Sequence, residues 1–286
     1  MALAGVPPPP RPARLTAETA AGARRKRALV FDSGLGGLTV LAEIAKARPD
    51  VELAYLADDE AFPYGDLSEP ALVARVLEVI AEAIAEFSPD IIVVACNTAS
   101  TLVLAPLRAA HPDRPFVGTV PAVKPAAQES RSGLISVLAT PGTVARDYTR
   151  ALVRDFAAAC EVTLVGSARL APLAEAHMRG ERLDEAELAR EIAPCFVERG
   201  GRRTDHVVLA CTHFPLLRRL LGRLAPWRVE FVDPAPAIAR RVDSLIGPPG
   251  LADSAPAIGA AMFTSGRAPP PALQKVLRRY ALNVSP

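Results

Sequence analysis

Little in this chain points to secretion or to a membrane. Its longest apolar stretches, such as ALVARVLEVIAEAIAEF, carry a charge every few positions, so none reaches the roughly 18 uninterrupted residues that a spanning helix needs. The first residues hold no apolar core of the length a secretory signal requires. Cysteine is scarce, with 4 in 286 residues and no Cys-x-x-Cys pair, which excludes a disulfide scaffold and leaves reduced thiols as the expectation. Aromatic residues are few: one tryptophan, four tyrosines and nine phenylalanines. With a net charge of only +2, the chain lacks the electrostatic footprint of a nucleic-acid-binding protein. Even that small excess is local. The first 27 residues hold Arg11, Arg14, Arg24, Arg25, Lys26 and Arg27 against a single Glu18, and the rest is slightly acidic.

Residues 1–27 also contain five prolines among small residues, and this composition predicts a disordered basic extension. An Arg-rich, acid-poor segment is compatible with a transit peptide, but Pro7 to Pro10 would break the amphipathic helix such a signal uses. The remainder is rich enough in apolar residues, half of all positions at a mean hydropathy of +0.20, to build a large core.

The pattern along the chain alternates between apolar runs and helical periodicity. ALVFD, a turn through Gly34, Gly36 and Gly37, and LTVLAEIAKA read as strand, loop and helix. VELAYLAD and IIVVACNTAS read as further strands, and a helix is expected from about Leu67 to Phe87. A strand end follows near 116–120. The unit begins again after Lys124, with LISVLAT, CEVTLVG, DHVVLAC and VEFVD as strands. PGTVARDYTRALVRDF reads as one helix, SARLAPLAEAHMRG and ERLDEAELAREIAPCFVERG as helical, and the tail as a short strand and a helix. Such alternation predicts an α/β fold: two similar three-layer α/β/α domains, each with a mostly parallel sheet.

A repeat supports the doubling. VVACNT at 93–98 and VLACTH at 208–213 lie 115 residues apart, each placing a cysteine at the carboxyl end of an apolar strand. Open α/β sheets bind ligands at that end. Backbone N–H groups at the helix start that follows favour anions and lower a thiol's pKa. If the domains face each other, Cys96 and Cys211 lie on opposite sides of one cleft. One group could then take a proton from one face of a carbon while the other donates to the opposite face. Cys160 and Cys195 lack this context and read as structural, at a helix–strand junction and inside an amphipathic helix. His213 either assists Cys211 or caps the following helix. A zinc site from Cys96, Cys211 and His213 matches no finger or deaminase spacing. DSGLGG has neither the dinucleotide fingerprint nor a phosphate-loop lysine, so it reads as a tight turn delivering Asp32 and Ser33 to the cleft. There Asp32 could move a proton at a thiol, and Ser33 could hold a carboxylate.

VFDSGLGGLTV, FPYG, VVACNTAS, VLATPGTV and LACTHFPLL, in this order, resemble the cofactor-independent aspartate/glutamate racemases. The resemblance runs from about residue 28 to 270. It implies two pseudo-two-fold-related α/β domains, the first at 28–120 plus 233–286 and the second at 121–232, with the active site in the cleft between them. It implies interconversion of L- and D-glutamate by Cys96 and Cys211, without cofactor or metal, Cys96 deprotonating the D-isomer and Cys211 the L-isomer. Asp32, His213 and Glu175 would assist. Ser33, Pro63, Tyr64, Gly65, Asn97, Thr98 and Thr212, with Asp32 and His213, would line the glutamate pocket. The family supplies D-glutamate for peptidoglycan, which implies a bacterial cytoplasmic enzyme, a homodimer or a monomer–dimer equilibrium, with no membrane partner. Gyrase or nucleic-acid binding is not expected. Aspartate is the alternative substrate, although Ala99-Ser100 and His213 favour glutamate. A non-catalytic amino-acid-binding module would need no paired thiols. The chain departs from the family in having Gly166-Ser167-Ala168 ahead of Glu175, and Asp58-Asp59-Glu60-Ala61 ahead of Pro63.

Overall fold

The structure is a computed structural model that describes residues 24–249 and 259–284. Most of the expected extension at 1–27 lies outside the described residues. Of its last residues, Arg24 and Lys26 pair with Asp90, and Arg27 already belongs to the first strand.

The first half runs β1 (Arg27–Asp32), α1 (Leu38–Ala47), β2 (Glu52–Ala57), α2 (Glu69–Phe87), β3 (Ile91–Val94), α3 (Asn97–Ala110) and β4 (Phe116–Gly118). The second runs α4 (Val123–Glu129), β5 (Leu134–Ala139), α5 (Pro141–Ala145), α6 (Asp147–Phe156), β6 (Glu161–Gly166), α7 (Leu170–Met178) and α8 (Glu185–Ile192). It continues with a hairpin of β7 (Glu198–Arg199) and β8 (Arg202–Arg203), then β9 (His206–Leu209), α9 (Arg218–Leu224) and β10 (Glu230–Val232). The chain ends with α10 (Ala235–Ile246), β11 (Gly259–Phe263), α11 (Pro271–Arg279) and β12 (Leu282–Val284).

Two parallel sheets result, ordered β12-β11-β2-β1-β3-β4 and β10-β9-β5-β6. Taken in chain order, the first four strands of each sheet (β1, β2, β3, β4 and β5, β6, β9, β10) take the same arrangement, the fourth beside the third, the third beside the first, the first beside the second. The repeat seen in two hexapeptides is therefore a repeat of topology. β11 and β12 extend the first sheet beyond β2, so the C-terminal segment packs with the N-terminal half.

The strands read as unbroken apolar runs because helices cover both faces. Along β1, Ala28 and Val30 enter a core with α1, α10 and α11, while Leu29 and Phe31 enter a second with α2 and α3. The second sheet is sandwiched likewise between α7–α9 and α4 with α6. Arg48, 2% exposed, ties the end of α1 to α10 through Asp50, Asp243 and the carbonyl of Gly247.

Four local expectations are corrected. PGTVARDYTRALVRDF is two helices, because Arg146 is extended (φ −73°, ψ 141°) and interrupts the ladder. The helix expected through Cys195 stops at Ile192, and Cys195 closes a 3-10 turn that contains Pro194, which cannot donate to a helix ladder. The residues after it form the β7–β8 hairpin, turning through Gly200 and Gly201 at positive φ. The tail carries a second strand, β12, too short to show a period.

Candidate active site

Both cysteines sit where the chain must leave a ligand crevice. In each sheet the first strand lies between the second and third, so successive connections depart in opposite directions and the loops separate at the carboxyl edge. Asp32 ends β1 and Cys96 follows β3 at the first such point; Cys211 follows β9 at the second, beside β5. The period of two fixes their facing. Ile92, Val94 and Cys96 enter one apolar cluster, as Val207, Leu209 and Cys211 enter another. All four cysteines are free thiols, with Cys96 and Cys211 5% and 6% exposed.

Cys96 occupies the N-cap of α3 with extended backbone. Its Sγ lies 3.7 Å from the Ser33 hydroxyl. Burial, with the Asp32 carboxylate nearby, pushes the thiol up to about 12, against hydrogen bonds from the Ala99 amide and Ser33. Asp32 is itself fully buried. Its Oδ1 accepts from Ser33 Oγ (3.3 Å) and the Gly34 amide (3.1 Å). Burial raises its pKa, partly offset by His213 and Thr212 reaching it from the other half.

Around Cys211 the groups form a chain. His213 Nδ1 lies 3.9 Å from Cys211 Sγ, and Nε2 meets Glu175 Oε1 at 2.9 Å. Burial alone would neutralise the imidazole, but Cys211, Glu175 and Asp32 overcome it and hold its pKa well above the ordinary value. Glu175 on α7 is correspondingly lowered despite burial, through His213, the Leu35 amide and Arg179. Both shifts favour the charged forms, an imidazolium beside a carboxylate. The Glu175 carboxylate also joins the halves, since Oε1 accepts from the Leu35 amide at 2.5 Å across the cleft. The first glycine loop is pressed against the second cysteine loop. A Cβ at Gly36 would stand 2.6 Å from Thr212 Oγ1 and 2.7 Å from the His213 amide nitrogen. Phe62 stacks obliquely on His213 at 5.3 Å and, with Asp59, Glu175 and Arg179, lines an adjoining cavity of about 230 Å³.

The structure thus brings together Asp32, Ser33, Cys96, Thr212, Cys211, His213 and Glu175. Asn97, Thr98 and Thr212 are buried beside the thiols. The remaining residues lie in the connection between β2 and α2. Pro63 follows a cis peptide bond, Tyr64 donates its hydroxyl to Asp58 Oδ2 (2.6 Å), and Gly65 is exposed. Among the described residues, four buried side-chain atoms have no hydrogen-bond partner: Asp32 Oδ2, both amide atoms of Asn97, and Thr119 Oγ1. A buried polar group left so costs about 1–3 kcal/mol.

Sequence reasoning missed several contributors. Thr119 follows β4 at the same carboxyl edge, a position the strand-end rule would have flagged. Tyr55 supports the glycine loop by donating to the Gly34 carbonyl (2.6 Å). Asp58, noted only as a departure from the family pattern, accepts from Tyr64, Arg75 and Thr264 and so anchors the loop after β2 to α2 and to the chain just beyond β11.

Residues 38–242 match the family described as Asp/Glu/Hydantoin racemase. The chain is similar to the glutamate racemase of Brucella ovis, 55% identical over 254 residues that cover 89% of this chain and 92% of that protein. It is 60% identical over 220 residues to that of Brucella anthropi, covering 77% and 79%. Among solved structures, the glutamate racemase of Escherichia coli in complex with L-glutamate and the activator UDP-MurNAc-Ala superposes with a TM-score of 0.83 at 39% identity, covering 91% of this chain and 97% of that one. A glutamate racemase isoform of Bacillus anthracis superposes at 0.75 with 26% identity, covering 92% and 97%.

Proposed function

The chain belongs to the Asp/Glu/Hydantoin racemase family, and from that premise we propose that it interconverts L- and D-glutamate by two-base proton transfer. The observation that carries this reading is the pairing of two buried free thiols at equivalent strand ends of duplicated sheets, with unpartnered buried polar atoms at the carboxyl edge of the first sheet. One thiol enters the reaction as thiolate and removes the α-proton; the electron pair passes to the α-carboxylate as an enolate. The other thiol then gives its proton to the opposite face of the same carbon, so the protein ends with the two protonation states exchanged. In this reading Cys96 deprotonates the D-isomer and Cys211 the L-isomer.

The other groups divide between binding and proton control. Asp32 Oδ2 suits the ammonium of an amino acid, and the Asn97 amide, the Thr119 hydroxyl and the start of α3 suit its carboxylates. Asp32 also stands beside Cys96, as the His213–Glu175 pair stands beside Cys211, so each thiol has an ionisable neighbour through which its proton can be steered. Ser33, Thr98 and Thr212, with Pro63, Tyr64 and Gly65 at the rim, complete the pocket.

Among the described residues no helix is long and apolar enough to cross a membrane. We further infer a bacterial cytoplasmic role in supplying D-glutamate for peptidoglycan, and self-association as a homodimer or a monomer–dimer equilibrium. The domains of this reading are 28–120 with 233–286, and 121–232.

The test follows solvent deuterium. Purified protein without added cofactor is incubated in D₂O with L-glutamate, D-glutamate and each aspartate isomer, and circular dichroism is recorded alongside α-deuteration. Deuterium should enter glutamate as optical activity decays. Cys96→Ala and Cys211→Ala should each lose at least about 10²–10⁴-fold, the usual range for a general acid or base. Folded, reduced protein that exchanges aspartate but not glutamate would replace the substrate. Exchange of neither would leave an amino-acid-binding module.

A further inference from the structure

Arg146 crosses between the halves of the molecule at the point where Cys96 begins its helix. It is the single extended residue between α5 and α6, and its carbonyl accepts from the Thr149 amide (3.2 Å) and the Arg150 amide (3.4 Å), which roots it in the second sheet's layer. Its guanidinium Nη1 donates across the cleft to the Thr98 carbonyl at 2.8 Å and to the Thr101 hydroxyl. Both acceptors lie in the opening turns of α3, the helix that Cys96 caps. The group is half-buried and lies within electrostatic range of Cys96, with Glu69 at the start of α2 as a negative neighbour.

We propose that Arg146 is a positioning residue, a latch by which the second half closes over Cys96 and holds the opening of α3 in register with the Cys211 loop. The inference rests on the racemase reading for its functional consequence, but not for its mechanical one. The Thr98 carbonyl already accepts from the Thr101 hydroxyl within α3, so its further acceptance from a cation is a contact supplied by the other half. The latch lies on the Cys96 side of the cleft, away from the Glu175–Leu35 contact beside Cys211. Opening the molecule therefore separates the two thiols unless both contacts hold. Two thiols acting on opposite faces of one carbon hold the substrate between them only while the cleft is closed, and closure is what the latch supplies.

The experiment compares the full chain with Arg146→Gln and Arg146→Lys by two readouts. The first is the rate of alkylation of each cysteine by iodoacetamide at pH 8, resolved by peptide mass spectrometry. Loss of the charge-assisted hydrogen bonds should speed reaction at Cys96 by about tenfold in the glutamine variant, with lysine in between. Cys195, buried in the core between the second sheet and α7–α9, should stay protected in all three. An unchanged Cys96 rate, or a parallel rise at Cys195 that signals general loosening, overturns the proposal. The second readout is racemisation. KM for both isomers should rise more than kcat falls in the glutamine variant, and kcat/KM should fall equally in both directions because the enantiomers are equal in energy. A fall in kcat alone overturns the latch. A parent protein that does not exchange glutamate while Cys96 is selectively exposed in Arg146→Gln would defeat the racemase reading and leave the latch standing.

Discussion

Gly36 is constrained by what lies opposite it rather than by its own backbone. A methyl group there would meet the Thr212 hydroxyl and the His213 backbone, neither of which can withdraw without moving the Cys211 loop. Gly36→Ala should cost about 1–3 kcal/mol of overpacking, expressed as an opened cleft. The expected result is a rise in the KM for glutamate of at least about tenfold, with a melting temperature lowered only modestly, checked by paired kinetics and thermal denaturation. At this scale the sequence was informative about chemistry and silent about contact. Cys96, Cys211, Asp32 and His213 could be singled out from strand ends and spacing. That Gly36 faces His213, or that Arg146 reaches Thr98, could not, because each contact joins segments more than 40 residues apart with no local pattern to announce it.

Among the elements, the loop after β2 depends on the chain beyond β11. Asp58, with no solvent exposure, accepts from Tyr64, from Arg75 on α2 and from Thr264, while Asp59 accepts from the Ser265 amide and hydroxyl. Arg75 and these partners hold the Asp58 carboxylate ionised and its pKa below the ordinary range in spite of its burial. Asp58→Ala would strand the buried Tyr64 hydroxyl and leave the half-buried Arg75 with only the exposed Glu60 as a carboxylate partner. It should destabilise the protein by about 3 kcal/mol, measured by urea unfolding at neutral pH. The parent's advantage should shrink as pH falls below the ordinary carboxylate pKa, since a lowered folded-state pKa confers stability that protonation removes. The strands and longer helices were legible, because burial on both faces writes continuous apolar runs and a 3.6-residue period into the sequence. The break at Arg146, the β7–β8 hairpin and β12 were not, being too short to show a period.

For the molecule as a whole, closure and electrostatics are one problem. The Glu175 carboxylate neutralises His213 and accepts from Leu35 across the cleft, so the same group serves the imidazolium and the joining of the two halves. His213, raised above its unfolded value, contributes its full stability below about pH 6.5 and loses it as pH rises through the elevated folded value. Glu175, lowered, contributes above about pH 4.5 and loses it as pH falls through the depressed value. Glu175→Gln should therefore cost about 3 kcal/mol near neutrality, with the difference from the parent narrowing at both acid and alkaline pH. Thermal melts across the pH range would reveal this two-sided profile. A difference independent of pH would show that Glu175 acts through packing alone.

The sequence by itself determined the alternation of strand and helix, the doubling of the α/β unit, and the placing of a thiol at two equivalent strand ends, because each follows from periodicity and local spacing. Tertiary structure decided the rest. The return of the C-terminal strands to the first sheet, the Glu175–His213 pair reaching Leu35, the Arg146 bridge and the four unpartnered polar atoms exist only once distant segments are packed together. Burial is the physical reason: it makes an unpaired polar atom costly and an ion pair strong, and it is a property of the assembled layers that no stretch of chain carries alone.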